Sequence, residues 1–303
     1  MGSISLFSQE KFTVSGTVYD NNNNETLIGV SIYFPELNAG TTTNEYGFYS
    51  ITLPSGTHKI QVSYLGFTTI NETLVLTEKI TKNFKLTEES ESLAEIVIEA
   101  DIEKINVRSP QMSVNKLTSA TIKKIPVVLG EADIIKSLIL LPGVTSAGEG
   151  ASGFNVRGGA ADQNLILLDE AIVFNSSHLF GFFSVFNPDV IKDVKLYKGG
   201  IPARFGGRLS SVLDIYQKEG NSKEFNVTGG IGLVSSRLLV EGPIEKEKSS
   251  FVVAGRASYA HLFLPLFDND NKAYFYDLNS KVNYRFNDKN NLFLSVVFSF
   301  KNI

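Results

Sequence analysis

Cysteine is absent from this 303-residue sequence, which excludes disulfides, thiolate catalysis and Cys-ligated metals. Histidine occurs only as His58, His178 and His261, far apart and without a spaced partner, so no metal site is expected. Tryptophan is missing too, and no run of eighteen apolar residues occurs, which excludes a membrane-spanning helix. That exclusion does not reach a β-barrel, whose strands give a much weaker signal per segment. The net charge is only −4 and Lys and Arg are dispersed, so nothing offers a basic footprint for nucleic acid. The one basic pair, Lys123-Lys124, reads as a solvated helix end.

Enzyme signatures are also lacking. Asp169-Glu170 ends an apolar run after Gly148, Gly150 and Gly153, as in the metal-binding strand of a nucleotide hydrolase. The phosphate loop G-x-x-x-x-G-K-[ST] is nowhere in the chain, so that pair has no nucleotide to act on. No G-x-S-x-G elbow exposes a serine, and His178 in NSSHLFG reads as a loop or interface histidine. The chain is expected to be no enzyme and to need no cofactor.

What is present is β pattern. Residues 1–9 hold a short apolar stretch, Ile4–Phe7, and read as a signal-peptide remnant or a tail. Over 10–87, Val14, Gly16 and Val18 alternate, as do Val30, Ile32 and Phe34, with turns at Asn21–Asn24, Asn44–Gly47 and Pro54–Gly56. About seven short strands at such spacing predict a small β-sandwich. Residues 88–113 begin within the acidic TEESES run of residues 87–92, a linker composition. Inside it Ala94–Ala100 (AEIVIEA) is strongly β-prone and suits either strand addition to another protein's sheet edge or a buried strand. Residues 114–218 predict an α+β domain, with helices over Ser119–Ile125 and Gly130–Leu141, the second stopped by Pro142-Gly143. Its strands, such as Leu165–Leu168, Val194–Tyr197 and Val212–Ile215, alternate with paired-glycine turns at Gly158-Gly159, Gly199-Gly200 and Gly206-Gly207.

Residues 219–303 change character. Tyr276, Leu278, Val282, Tyr284 and Phe286 fall on one face; Asp277, Asn279, Lys281, Asn283 and Arg285 fall on the other. Leu292–Phe300, Phe251–Tyr259 and Phe225–Leu233 repeat the alternation, and Leu238–Gly242 gives a shorter fifth segment. A soluble sandwich can show this pattern. Strand lengths near the 9–11 residues of a tilted membrane strand, charged inner faces suited to a wet lumen, and aromatics near strand ends favour a transmembrane barrel. Five strands cannot close a cylinder, so the barrel is incomplete here and the chain reads as a piece of a longer protein.

Two resemblances follow from these residues. SGTVYD, LIGVSIYF and GTTTNEYGFYSITLPSGTHKIQVSYLGF resemble the carboxypeptidase regulatory-like domain, an accessory sandwich without peptidase residues. ILLPGV, FNVRGGAADQNLILLDE, VFNPDVIKDVKLYKGGIPARFGGRLSSVLDI, SRLLVEGPI and FVVAGRASY resemble the TonB-dependent outer-membrane receptors, in their Bacteroidetes form. LILLDEAIVFNSSHLF departs from the plug of the starch-utilisation glycan importers. The resemblance implies a plug domain within a barrel of about 22 strands. It implies import of a scarce small-molecule nutrient, powered by TonB, from a receptor in outer-membrane lipid with plug and sandwich on the periplasmic side. A surface lipoprotein is a further candidate partner. The TonB box would be Glu95, Ile96, Val97, Ile98 and Glu99. Arg157, Arg204 and Arg208, on plug turns, are candidates for charge-assisted bonds to acids of the barrel wall. The alternative function is a non-transporting adhesion or signalling protein that works through its sandwich.

The alternation makes one expectation directly testable. Tyr284→Arg, on the apolar face, should impair outer-membrane insertion, since a cation facing lipid costs about 2–4 kcal/mol at the midplane. Unchanged assembly in membrane fractions would favour the soluble sandwich.

Overall fold

The computed structural model describes residues 10–89, 113–125, 132–148, 153–178, 181–262, 274–287 and 290–302. The chain divides into two compact units, residues 1–95 and 96–303. It is mainly β, as the alternation predicts.

The first unit is a sandwich of two sheets. Its strands are β1 (Lys11–Asp20), β2 (Ser31–Phe34), β3 (Ala39–Thr42), β4 (Phe48–Pro54), β5 (Gly56–Ser63), β6 (Ile70–Leu76), β7 (Ile80–Thr81) and β8 (Phe84–Leu86). One sheet runs β4-β1-β7, with β8 also pairing β1; the other runs β3-β2-β5-β6. Alternate residues of both sheets, among them Val14, Val18, Ile32, Phe34, Ile60 and Val62, point inward and form one buried cluster. The Tyr49 hydroxyl reaches into this layer and donates to the Lys82 carbonyl at 2.8 Å.

That carbonyl also explains a glycine. β1 runs between β4 and the β7–β8 segment, so the Lys82 backbone crosses directly over Gly16. A Cβ on Gly16 would stand 1.8 Å from the Lys82 oxygen. The alternation Val14-Gly16-Val18 therefore holds glycine because a backbone lies on that face.

The second unit joins an α+β domain to a five-stranded sheet. The domain comprises β9 (Val114–Thr118), α1 (Ser119–Lys124), α2 (Ile134–Ile139), β10 (Val144–Ser146), β11 (Phe154–Val156), β12 (Asn164–Leu168), β13 (Ala171–Ile172), β14 (Ser177–His178), β15 (Phe183–Ser184), β16 (Ile191–Tyr197) and β17 (Ser211–Gln217). Its main sheet runs β13-β12-β17-β16-β9, with β12 and β17 parallel and the other pairs antiparallel. α2 is shorter than the expected Gly130–Leu141, because the Asp133 side chain caps it by accepting the Lys136 amide at 3.0 Å.

The remaining strands are β18 (Asn226–Ile231), β19 (Ser235–Glu245), β20 (Ser249–Ser258), β21 (Tyr274–Asn287) and β22 (Asn290–Asn302), an antiparallel meander in chain order. β19 is longer than the expected Leu238–Gly242. Pro243, which has no N–H to donate, is accommodated beside a register shift between Pro243 and Glu245, so the strand continues past it. The expected period of two holds along β21 and β22. Leu278, Phe286, Leu292, Leu294, Val296 and Phe298 are exposed on the outer face. Asp277, Asn279, Lys281 and Asn283 turn inward and are buried beneath the α+β domain. The inner face is thus sealed at these positions, where sequence alone suggested a wet lumen.

The domain and the wall share one hydrophobic cluster, in which Leu239, Val252 and Ala254 of β19–β20 pack with Val190, Val194, Leu213 and Ile215. The chain passes between the two through Gly220 at φ +87°, where a Cβ would lie 2.4 Å from the Phe251 oxygen. Only glycine fits this crossing.

Gly16→Ala should force the β7–β8 segment off β1. We expect a loss of about 3 kcal/mol in sandwich stability, read as a fall in its thermal midpoint of about 10 °C or more; an unchanged midpoint would show that the Lys82 backbone yields freely.

Candidate functional site: the contact between the α+β domain and the wall

The inward residues of β21 are spaced at the strand repeat and meet the domain at successive points along the strand. At one end Asp277 is the centre. Its Oδ2 accepts from Arg256 Nε of β20 at 3.0 Å, and its Oδ1 accepts from Ser299 Oγ of β22 at 2.6 Å. His178 Nε2 of β14 lies 2.8 Å from Oδ1, while Arg256 Nη2 donates to the Ser184 carbonyl of β15 at 2.7 Å. The His178 ring stacks on Phe275 at a centroid distance of 4.2 Å.

In the middle, Asp169 takes the role. It lies in the two-residue turn between β12 and β13, where Asp169 and Glu170 both have positive φ, 45° and 69°. The wall side chains Lys281 and Ser295 donate to its carboxylate at 3.1 and 2.8 Å. The Gln217 amide and Nε2 donate to it at 2.9 and 3.1 Å. Lys281 also donates to the Gln217 carbonyl at 3.0 Å, and Asn279 donates to Gln217 Oε1 at 3.2 Å.

At the other end Glu219, just beyond β17, accepts from Lys192 at 2.9 Å and from Asn283 at 3.2 Å. Ser250 Oγ donates to its carbonyl at 2.8 Å. A fourth pair, Arg237 of β19 with Asp189, closes at 2.6 Å. Each carboxylate faces a cation, and most of these groups are buried. Such pairs fix register strongly, because removing one partner strands a charge away from water. They also remain exchangeable with water in a way that an apolar seam is not.

Arg157 is exposed and donates to Ser113 Oγ at 3.1 Å. Arg204 lies against the Phe205 ring at 4.7 Å, and Arg208 donates to the neighbouring Gly207 carbonyl at 3.1 Å. The ion pairs that cross the contact place the cations on the wall (Arg237, Lys281) and the acids on the domain (Asp189, Asp169). Glu95–Glu99 lie outside the described residues. Asp169 was legible as an acidic residue but not as a contact, since its partners come from Gln217, Lys281 and Ser295, distant in sequence. His178 does lie at an interface, 1% exposed.

Within the domain sheet Asp193 is also buried, with Lys116 3.6 Å and Lys195 4.0 Å away. Burial pushes the Lys116 ammonium down to about 8, opposed in part by Asp193. Among the described residues no group of acids and histidines could hold a metal ion.

Residues 14–98 match the CarboxypepD_reg-like domain family, and residues 92–211 match the TonB-dependent Receptor Plug Domain family. The chain thus carries a TonB-dependent receptor plug domain, with a CarboxypepD_reg-like domain ahead of it. A comparison with curated proteins gives no match. Among solved structures, the siderophore receptor PirA from Pseudomonas aeruginosa is 19% identical over 64% of this chain and 34% of its own, with a TM-score of 0.47. PirA from Acinetobacter baumannii is 18% identical over 69% of this chain and 33% of its own, with a TM-score of 0.48. The chain thus spans about a third of the length of these receptors.

The plug–wall pairs lead to a double-substitution test. Lys281→Met should weaken plug retention by about 3–5 kcal/mol, because Asp169 is left without its cation. Adding Asp169→Asn should restore much of the loss; urea-dependent proteolysis of the plug reads both, and two independent, additive losses would deny the coupling.

Proposed function

We propose that this protein is an energised importer of the outer membrane. It binds a scarce small-molecule nutrient from outside and passes it through a barrel lumen that the plug occupies at rest. The observation that carries this reading is the plug–wall contact, where Asp169 and Asp189 of the plug pair with Lys281 and Arg237 of the wall. A permanent partition could be sealed by apolar packing alone. A plug that must move and return gains from contacts that water can replace and that re-form in one register.

The outer face of the wall, with Leu278, Leu292, Leu294, Val296 and Phe298 exposed, would meet membrane lipid. The sandwich, over residues 10–87, and the plug, over residues 114–218, would face the periplasm. Between them, Glu95–Glu99 would pair by strand addition with TonB, whose pull rearranges the plug. An adhesion or signalling protein has no need of such a segment.

Deleting Glu95–Glu99 in the full receptor should leave outer-membrane insertion intact and abolish uptake of its nutrient. A growth screen of a deletion strain on iron chelates, cobalamin, peptides and oligosaccharides supplies the substrate, and uptake at the normal rate without Glu95–Glu99 would overturn the energised reading.

A further inference from the structure

Four ion pairs at the plug–wall contact join one carboxylate to one cation: Asp189 with Arg237 and Asp169 with Lys281 cross from plug to wall, Glu219 with Lys192 lies on the plug side, and Asp277 with Arg256 lies on the wall. His178 is a further titratable group at this contact, and it has no carboxylate of its own. Its Nε2 shares Asp277 Oδ1 with Ser299, while Arg256 occupies Oδ2 through two nitrogens. Its Nδ1 is buried and has no hydrogen-bond partner.

We propose that His178 is a proton-sensitive positioning residue that holds the β14–β15 hairpin of the plug to the wall when neutral and releases it when protonated. This deepens the importer reading and rests on it for its role in transport. Asp277 can only accept here, so the neutral ring carries its hydrogen on Nε2 and leaves Nδ1 with a lone pair. An unused buried acceptor is tolerable. Protonation turns Nδ1 into a buried donor with nothing to receive it. It also places a second cation on a carboxylate already neutralised by Arg256, giving the pocket a net positive charge.

The surroundings offer no relief. The ring stacks on Phe275, whose ring also lies 5.0 Å from the Arg256 guanidinium. Ser299 gives its hydrogen to Asp277. On the plug, Asp133 is committed to the Ser184 and Lys136 amides, at 2.7 and 3.0 Å. Lys136, 6.0 Å from the Phe183 ring, adds positive charge near the same hairpin. Histidine is the side chain whose charge ordinarily changes between about pH 5 and pH 8.

The test is hydrogen exchange on the full receptor in outer-membrane vesicles, without TonB or nutrient, corrected for the intrinsic pH dependence of exchange. Amides of residues 177, 178 and 181–184 should lose about tenfold in protection between about pH 7.5 and about pH 5.5, while those of β16 and β17 stay unchanged. His178→Gln keeps a donor toward Asp277 but takes no proton, and should remove the response. Arg256→Gln removes the competing cation, so acid should then tighten the hairpin. Equal protection of the wild type at both pH values would overturn the proposal, as would the wild-type loss persisting in His178→Gln. Should His178→Gln fail to assemble, the sign of the Arg256→Gln response decides. Since TonB and nutrient are absent, failure here leaves the importer reading standing, and that reading is judged by uptake without Glu95–Glu99.

Discussion

One carboxylate, that of Asp169, ties the plug to itself and to the wall. Its turn has two non-glycine residues in the left-handed region, a conformation that costs about 1 kcal/mol each without compensation. The compensation comes from four directions: the Gln217 amide, the Gln217 side chain, Lys281 and Ser295. One anion therefore joins the β12–β13 turn, the end of β17, and strands β21 and β22. The central plug sheet is aligned to the barrel strands through that anion.

Around it, the interface combines two kinds of contact with different consequences. The apolar cluster through Leu239, Val252 and Ala254 supplies area removed from water and little direction. The buried ion pairs add little net stability, because desolvation offsets most of their attraction, but they tolerate only one register. The combination gives the domain one definite position on the wall.

The wall shows how one strand can serve two solvents. Along β21 the inward residues Asp277, Asn279, Lys281 and Asn283 bond with the plug, while Tyr276 and Leu278 between them face outward. Tyr276 stacks on Phe300 of β22 at 4.9 Å, so the outer face is also paired across strands. A slip of one residue would exchange the two faces completely, which is why the alternation is so strict.

Period, turn chemistry and composition are local properties, so the sequence by itself determined the sandwich strands, the α+β domain and the two-faced wall. The alternation of Tyr276–Phe286 specified which residues turn inward before any partner was known. Lengths were less legible: Asp133 set the start of α2 through a cap, and Pro243 was absorbed by a register shift. What turns inward meets, only the tertiary structure decided. Asp169 and Lys281 are separated by more than a hundred positions, and no local pattern records that they touch. His178 looks like any loop histidine until Asp277, Arg256 and Phe275 close around it. Partners distant in sequence become neighbours only when the plug is seated, and that geometry fixes which charges are paired and which group is left without one.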